Sequence, residues 1–124
     1  RMMSHIGWRA PLHSTAMGKV LLSFSQNKLL AKHIEQTQYT PNTITNRDLL
    51  EMELERIRER GWAIDDEETQ LGVRCYAAPV KNYEGRVIAA ISASGPIVRT
   101  TPRNKDFVVK AAKELSNKMG CPSC

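Results

Sequence analysis

The feature that most constrains this chain is a pair of alternating apolar segments, residues 73–80 and 86–94, separated by Asn82-Tyr83-Glu84-Gly85. Side chains of a strand point alternately to its two faces, and an Asn- and Gly-containing turn between two such runs reads as an antiparallel hairpin. The second run has unequal faces. Val87, Ala89, Ile91 and Ala93 are all apolar, whereas Ile88 and Ala90 are followed on the other face by Ser92 and Ser94. Those two hydroxyls are either exposed edge positions or the polar wall of a pocket.

Helical patterns surround the hairpin. Ser14 or Thr15 can cap a helix running through Val20, Leu21 and Phe24, and a second short helix is expected over about 26–36. Asn46 opens the clearest helix: Leu50, Leu54 and Ile57 form its apolar stripe and Gly61 supplies its stop. A short strand over 62–65 follows. The last helix, about 103–119, carries Val108, Ala111, Ala112, Leu115 and Met119 on one stripe. The opening residues, 1–6, read as a strand ending at Gly7. Helices, then an antiparallel hairpin, then a helix imply an α+β fold.

The 124 residues suit one domain, placed at 1–120 with a tail at 121–124. The longest apolar run, Val87-Ile88-Ala89-Ala90-Ile91, falls far below the ~18 to 20 residues of a membrane helix. No signal peptide is read at the start, and the first residue is Arg1, as expected of a piece of a larger parent. Three cysteines give no disulfide framework and point to a reducing cytoplasm. Eighteen basic residues against thirteen acidic ones give a net charge of +5, but Lys and Arg are scattered from Arg1 to Lys118. That pattern describes a mildly basic solvated surface rather than a nucleic-acid groove.

Few residues here are equipped for chemistry. Ala16-Met17-Gly18-Lys19 has the Gly-Lys pair of a phosphate loop, but the required earlier glycine is His13 and Val20 replaces the Mg²⁺-binding hydroxyl. What remains is a helix start whose free N–H groups at Ala16 and Met17 favour a small anion. Cys75, His13 and Asp65 could build a Cys/His-dependent enzyme acting on a small organic acid, although a cysteine within a strand is usually an inert small hydrophobe. No catalytic residue is assigned. Neither His5, His13 and His33 nor the lone Cys121-Pro122-Ser123-Cys124 supplies a metal set, and no cofactor is expected. The tail reads as frayed, with a metal or an intermolecular disulfide as the alternative. Asp65, in the alternating run Trp62-Ala63-Ile64-Asp65, can turn inward while Asp66, Glu67 and Glu68 face water, and an inward carboxylate needs partners.

Four blocks then occur in order: 11–19 (PLHSTAMGK), 65–68 (DDEE), 71–80 (LGVRCYAAPV) and 89–96 (AAISASGP). Together they resemble the C-terminal effector-binding domain of the IclR family of bacterial transcriptional regulators. The resemblance covers 1–120, with Arg1 aligning inside the domain, so the domain is expected to be N-terminally truncated. It implies a GAF-like, mainly antiparallel sheet flanked by helices, and a ligand pocket formed by Ala16, Met17, Asp65, Cys75, Ser92 and Ser94, with Val73 and Met2 as apolar lining. It further implies an organic, sugar or aromatic acid as effector, operator DNA bound through an N-terminal winged helix-turn-helix absent from this chain, and a homodimer or homotetramer. A monoanion bearing hydroxyl or keto groups fits best, because Asp65 would repel a second negative charge. If the pocket is shared, Cys75 should lie opposite Ser92 and Val73 opposite Ser94; Cys75 opposite Ile91 would put the serines on the other face.

Overall fold

The computed structural model describes residues 5–124. Seven elements follow in order: α1 (Ala16–Ser23), α2 (Leu30–His33), α3 (Arg47–Arg60), β1 (Ala63–Asp66), β2 (Val73–Lys81), β3 (Val87–Pro96) and α4 (Pro102–Lys118). The three strands form one antiparallel sheet in the order β1-β2-β3. Helices α1 and α3 cover one face and α4 the other, an α+β sandwich of three layers. The strand expected over 1–6 lies mostly outside the described residues.

Each helix boundary has a local chemical cause. Asn46 caps α3 by accepting from the N–H groups of Asp48 at 2.8 Å and Leu49 at 3.1 Å, and Gly61 ends it at φ 85° with its N–H on Ile57 O. Leu50, Leu54 and Ile57 then pack with Ala16, Val20, Ala63 and Ala77 into the larger core. Burying each of those large side chains contributes about 1.5–3 kcal/mol. The second expected helix shrinks to one turn. Asn27 Oδ1 accepts from Leu29 N–H before it, and beyond it the Gln36 amide donates to Ile44 O and Asn46 O, which draws the chain away in extended form from Ile34.

Helix α4 departs from its expected stripe. Val108, Ala112 and Ser116 are buried against the sheet, whereas Ala111, Leu115 and Met119 are exposed. The buried row is a single i, i+4, i+8 line onto Ala78 and Val80. Ser116 occupies its end because the position is polar: its Oγ accepts from Lys81 N–H at 2.9 Å and donates to Ala112 O at 2.7 Å.

The hairpin register is shifted by two from the expected one. Cys75 lies opposite Ser94 and Val73 opposite Pro96, with Ala77 opposite Ser92. Two extra residues explain it. The turn takes three residues rather than two, Gly85 standing at φ 78° with Asn82 N–H donating to Arg86 O, and a bulge between Val80 and Lys81 leaves Ile88 without an opposite partner. A shift of two preserves the alternation, so Cys75, Ser92 and Ser94 still share a face.

Candidate functional site

On the α1 face, β1, β2 and β3 place Asp65, Cys75 and Ser94 side by side in one row across the sheet, with Ala63, Ala77 and Ser92 in the next. The N-terminus of α1 stands over these rows. Thr15 caps it, accepting from Gly18 N–H at 3.1 Å while donating to Pro11 O at 2.6 Å. Ala16 and Met17 therefore hold the first two N–H groups of the helix, which have no acceptor within it. Gly18 is required by close approach: a Cβ there would lie 2.6 Å from Leu12 Cα.

Between α1 and the sheet lies a cavity of about 350 Å³. Ala16, Met17, Asp65, Val73, Cys75, Ser92 and Ser94 all line it. Met2 lies outside the described residues. Trp8, Leu12, Leu21, Thr69 and Gln70, which the sequence did not mark as site residues, also line it. Leu12 and Leu21 carried only ordinary apolar signals. Thr69 became legible only through its contacts with Asp65 and Ser14.

Asp65 does turn inward; its residue is 5% exposed. Its Oδ1 accepts from Glu68 N–H at 2.8 Å and its Oδ2 from the Thr69 hydroxyl at 2.8 Å. Thr69 Oγ1 also lies 2.9 Å from Ser14 Oγ. A hydroxyl has one proton, so Thr69 directs it to the Asp65 carboxylate or to Ser14, not to both at once. Burial raises the Asp65 pKa, opposed by the Glu68 and Thr69 hydrogen bonds and by the Lys19 charge.

The expectation that Glu68 faces water is overturned. It is 7% exposed, and its Oε1 lies 2.6 Å from Lys19 Nζ, which also donates to Ile64 O at 2.5 Å. Its Oε2 accepts from Asp66 N–H at 2.9 Å. Lys19 is wholly buried, so this ammonium ties α1 to β1 and the loop after it instead of reaching for an anion. Burial raises the Glu68 pKa, against the lowering effect of Lys19.

Cys75 and His13 do not form a catalytic pair. His13 Nε2 donates to Thr37 O at 2.8 Å and its ring stacks on Tyr39. Burial pushes the Cys75 thiol up, against the hydroxyls of Ser94 and Ser92, and so disfavours the thiolate that nucleophilic chemistry needs. Among the described residues no group of three or more His, Cys, Asp or Glu is arranged to hold a metal ion. None of their helices is long and apolar enough to cross a membrane. The tail is not frayed: Cys121 is buried, and a disulfide joins it to Cys124 within the chain.

A small cavity between a helix N-terminus and an antiparallel sheet puts this chain among the α+β domains with a pocket of small-molecule size. The comparisons give the family. Residues 1–120 match the model for the bacterial transcriptional regulator IclR C-terminal family, and the chain belongs to that family. The HTH-type transcriptional regulator XynR of Escherichia coli (strain K12) is 39% identical over 127 residues, covering 97% of this chain and 50% of its own length. The chain thus spans about half the length of this curated relative. The crystal structure of the Thermotoga maritima IclR superposes with a TM-score of 0.85 at 39% identity, covering 96% of this chain and 51% of that one. The inducer-binding domain of the PobR transcription factor from Acinetobacter, a double mutant in complex with 3-hydroxybenzoic acid, gives a TM-score of 0.80 at 30% identity, covering 94% and 69%. These relatives are named as transcriptional regulators, not enzymes.

Proposed function

We propose that this chain is the effector-sensing part of a bacterial transcription regulator, and that its cavity takes a small carboxylic acid bearing hydroxyl or keto groups. The observation that carries the reading is the meeting, in one cavity, of the free N–H groups of Ala16 and Met17 with the row Asp65, Cys75 and Ser94. A carboxylate is best stabilised at the helix start. The ligand's polar substituents then meet Ser92, Ser94 and the remaining lone pairs of Asp65, while Trp8, Leu12, Leu21 and Val73 pack on its carbon skeleton. Asp65 disfavours a second negative charge nearby. The 3-hydroxybenzoic acid in the PobR complex has this chemistry, one carboxylate and one hydroxyl.

In this reading, ligand binding shifts a conformational or oligomeric equilibrium of a homodimeric or homotetrameric cytoplasmic parent. Operator affinity of a winged helix-turn-helix outside this chain changes by no more than the ligand's differential affinity for the two states. The test is a thermal-shift screen against hydroxy-, keto-, sugar and aromatic acids. A ligand at a hundred times its Kd adds about 2.7 kcal/mol. For a chain of this length that is roughly 10 °C in Tm. A hit that is lost in Ser94→Ala and in Asp65→Ala supports the reading. A hit unaffected by either places the ligand elsewhere, and no hit from a cooperatively melting protein rejects this class of acid.

A further inference from the structure

The segment 121–124 follows a helix stop that needs no sulfur chemistry. Gly120 is left-handed at φ 88°, its N–H bonds to Asn117 O at 3.0 Å, and the Cys121 N–H reaches back to Ser116 O at 3.0 Å. This is the paired closure of a Schellman turn, and Cys121 stands where that turn seats an apolar side chain; it is 4% exposed. The Asn117 amide donates to Cys124 O at 3.3 Å and folds the tail back on the helix end. Backbone and amide groups make all of these bonds, so they hold whether the sulfurs are joined or free. With the disulfide formed, the two Cα atoms lie 5.6 Å apart, within the range a disulfide spans.

A bond across a sequence separation of three closes too short a loop to constrain the unfolded chain much, and so is a weak staple. The two sulfurs also differ in access. Cys121 is buried, while Cys124 is half-buried at a shallow depression lined by Lys105, Lys110 and Lys113 against Asp106 and Glu114. Exchange proceeds at the accessible sulfur, and nearby lysines favour thiolates and anionic partners.

We propose that Cys121 and Cys124 form a reversible thiol–disulfide exchange site for small anionic disulfides, with Cys124 as the attacking and Cys121 as the resolving thiol. In the oxidising direction the Cys124 thiolate attacks a low-molecular-weight disulfide such as oxidised glutathione. An S–S bond forms to one half and the other leaves as a thiolate. Cys121 then attacks Cys124 Sγ, forms the internal bond and expels the second thiolate. The protein loses two electrons and two protons, and one disulfide becomes two thiols. The reduced pair is regenerated by the reverse steps.

The experiment equilibrates the full chain in buffers of varying reduced-to-oxidised glutathione, quenches with acid, alkylates and weighs the intact protein. The expected result is two thiols appearing and disappearing together, on top of the constant single thiol of the part-exposed Cys75. In Cys121→Ser one glutathione adduct accumulates on Cys124, whereas in Cys124→Ser the buried Cys121 takes up less than a tenth as much. The proposal is overturned if the pair stays open in excess oxidised glutathione, stays closed in excess reduced glutathione, or if the two variants form adducts equally.

Discussion

Lys19→Met removes the ammonium of a buried ion pair while nearly keeping the length of the side chain. Glu68 Oε1 then loses its 2.6 Å partner and Ile64 O its donor, and Glu68 retains only the Asp66 N–H on Oε2. Removing one member of a buried pair costs about 3–5 kcal/mol, because an uncompensated charge stays behind. With an unfolding entropy near 0.26 kcal/mol/K for a chain this long, that is a fall in Tm of roughly 10–20 °C at neutral pH. The loss has a definite pH dependence. Glu68 already holds its proton more tightly than an ordinary carboxyl because it is buried, and Lys19 is what opposes this. Without Lys19 the pKa rises further, so the variant is penalised most where Glu68 must be charged and less at acid pH. The double variant Lys19→Met/Glu68→Met removes both charges but also leaves Ile64 O without its donor and Asp66 N–H without its acceptor, costing about 2 kcal/mol, and should recover all but ~8 °C. Calorimetric melts of the three chains at pH 5 and pH 7 decide the matter. A fall under 4 °C for the single variant, an equal fall at both pH values, or a double variant as unstable as the single would refute the account of this pair.

Asp65→Asn should gain on the unaltered chain as pH rises from below the ordinary carboxyl value to neutrality. Burial raises the pKa of Asp65, so its contribution to stability is complete below the ordinary value of 3.8 and declines as pH rises through the folded value; a Tm gap that is constant or reversed over that range counts against this. Gly18→Ala should lower stability by about 1–3 kcal/mol despite alanine's better helix propensity, because the new Cβ meets the backbone of Leu12; a chain that melts higher would show that α1 can shift. Asn46→Ala should cost ~1 kcal/mol through the two N–H groups it leaves uncapped, read as the midpoint of urea unfolding with unchanged slope.

Local chemistry determined much of this protein. The stop at Gly61, the caps at Asn46 and Thr15, and the faces of β2 and β3 all follow from side chains acting within a few residues. The α+β class follows from their order. Of the residues named for the pocket, all those described line one cavity, because strand alternation groups Cys75, Ser92 and Ser94 whatever the register, provided its error is even. The register itself needed the three-residue turn and the bulge at Val80/Lys81, whose effects add.

Tertiary structure decided the rest, for a common physical reason: a polar group's role depends on which distant group satisfies it once water is gone. The Gly18-Lys19 pair has the order of a phosphate loop that its neighbours argue against, but nothing near it in sequence shows that Glu68, forty-nine residues away, claims the Lys19 ammonium. Glu68 looked solvated within an acidic run and is buried because that ammonium is there. Ser116 interrupts an apolar stripe because Lys81, on another element, has an N–H that needs an acceptor. Thr69 gains its place at the cavity only by joining Asp65 to Ser14. Alternation and capping act over two to four residues and can be read along the chain, whereas desolvation is set by the whole fold and becomes readable only when the fold has brought its partners together.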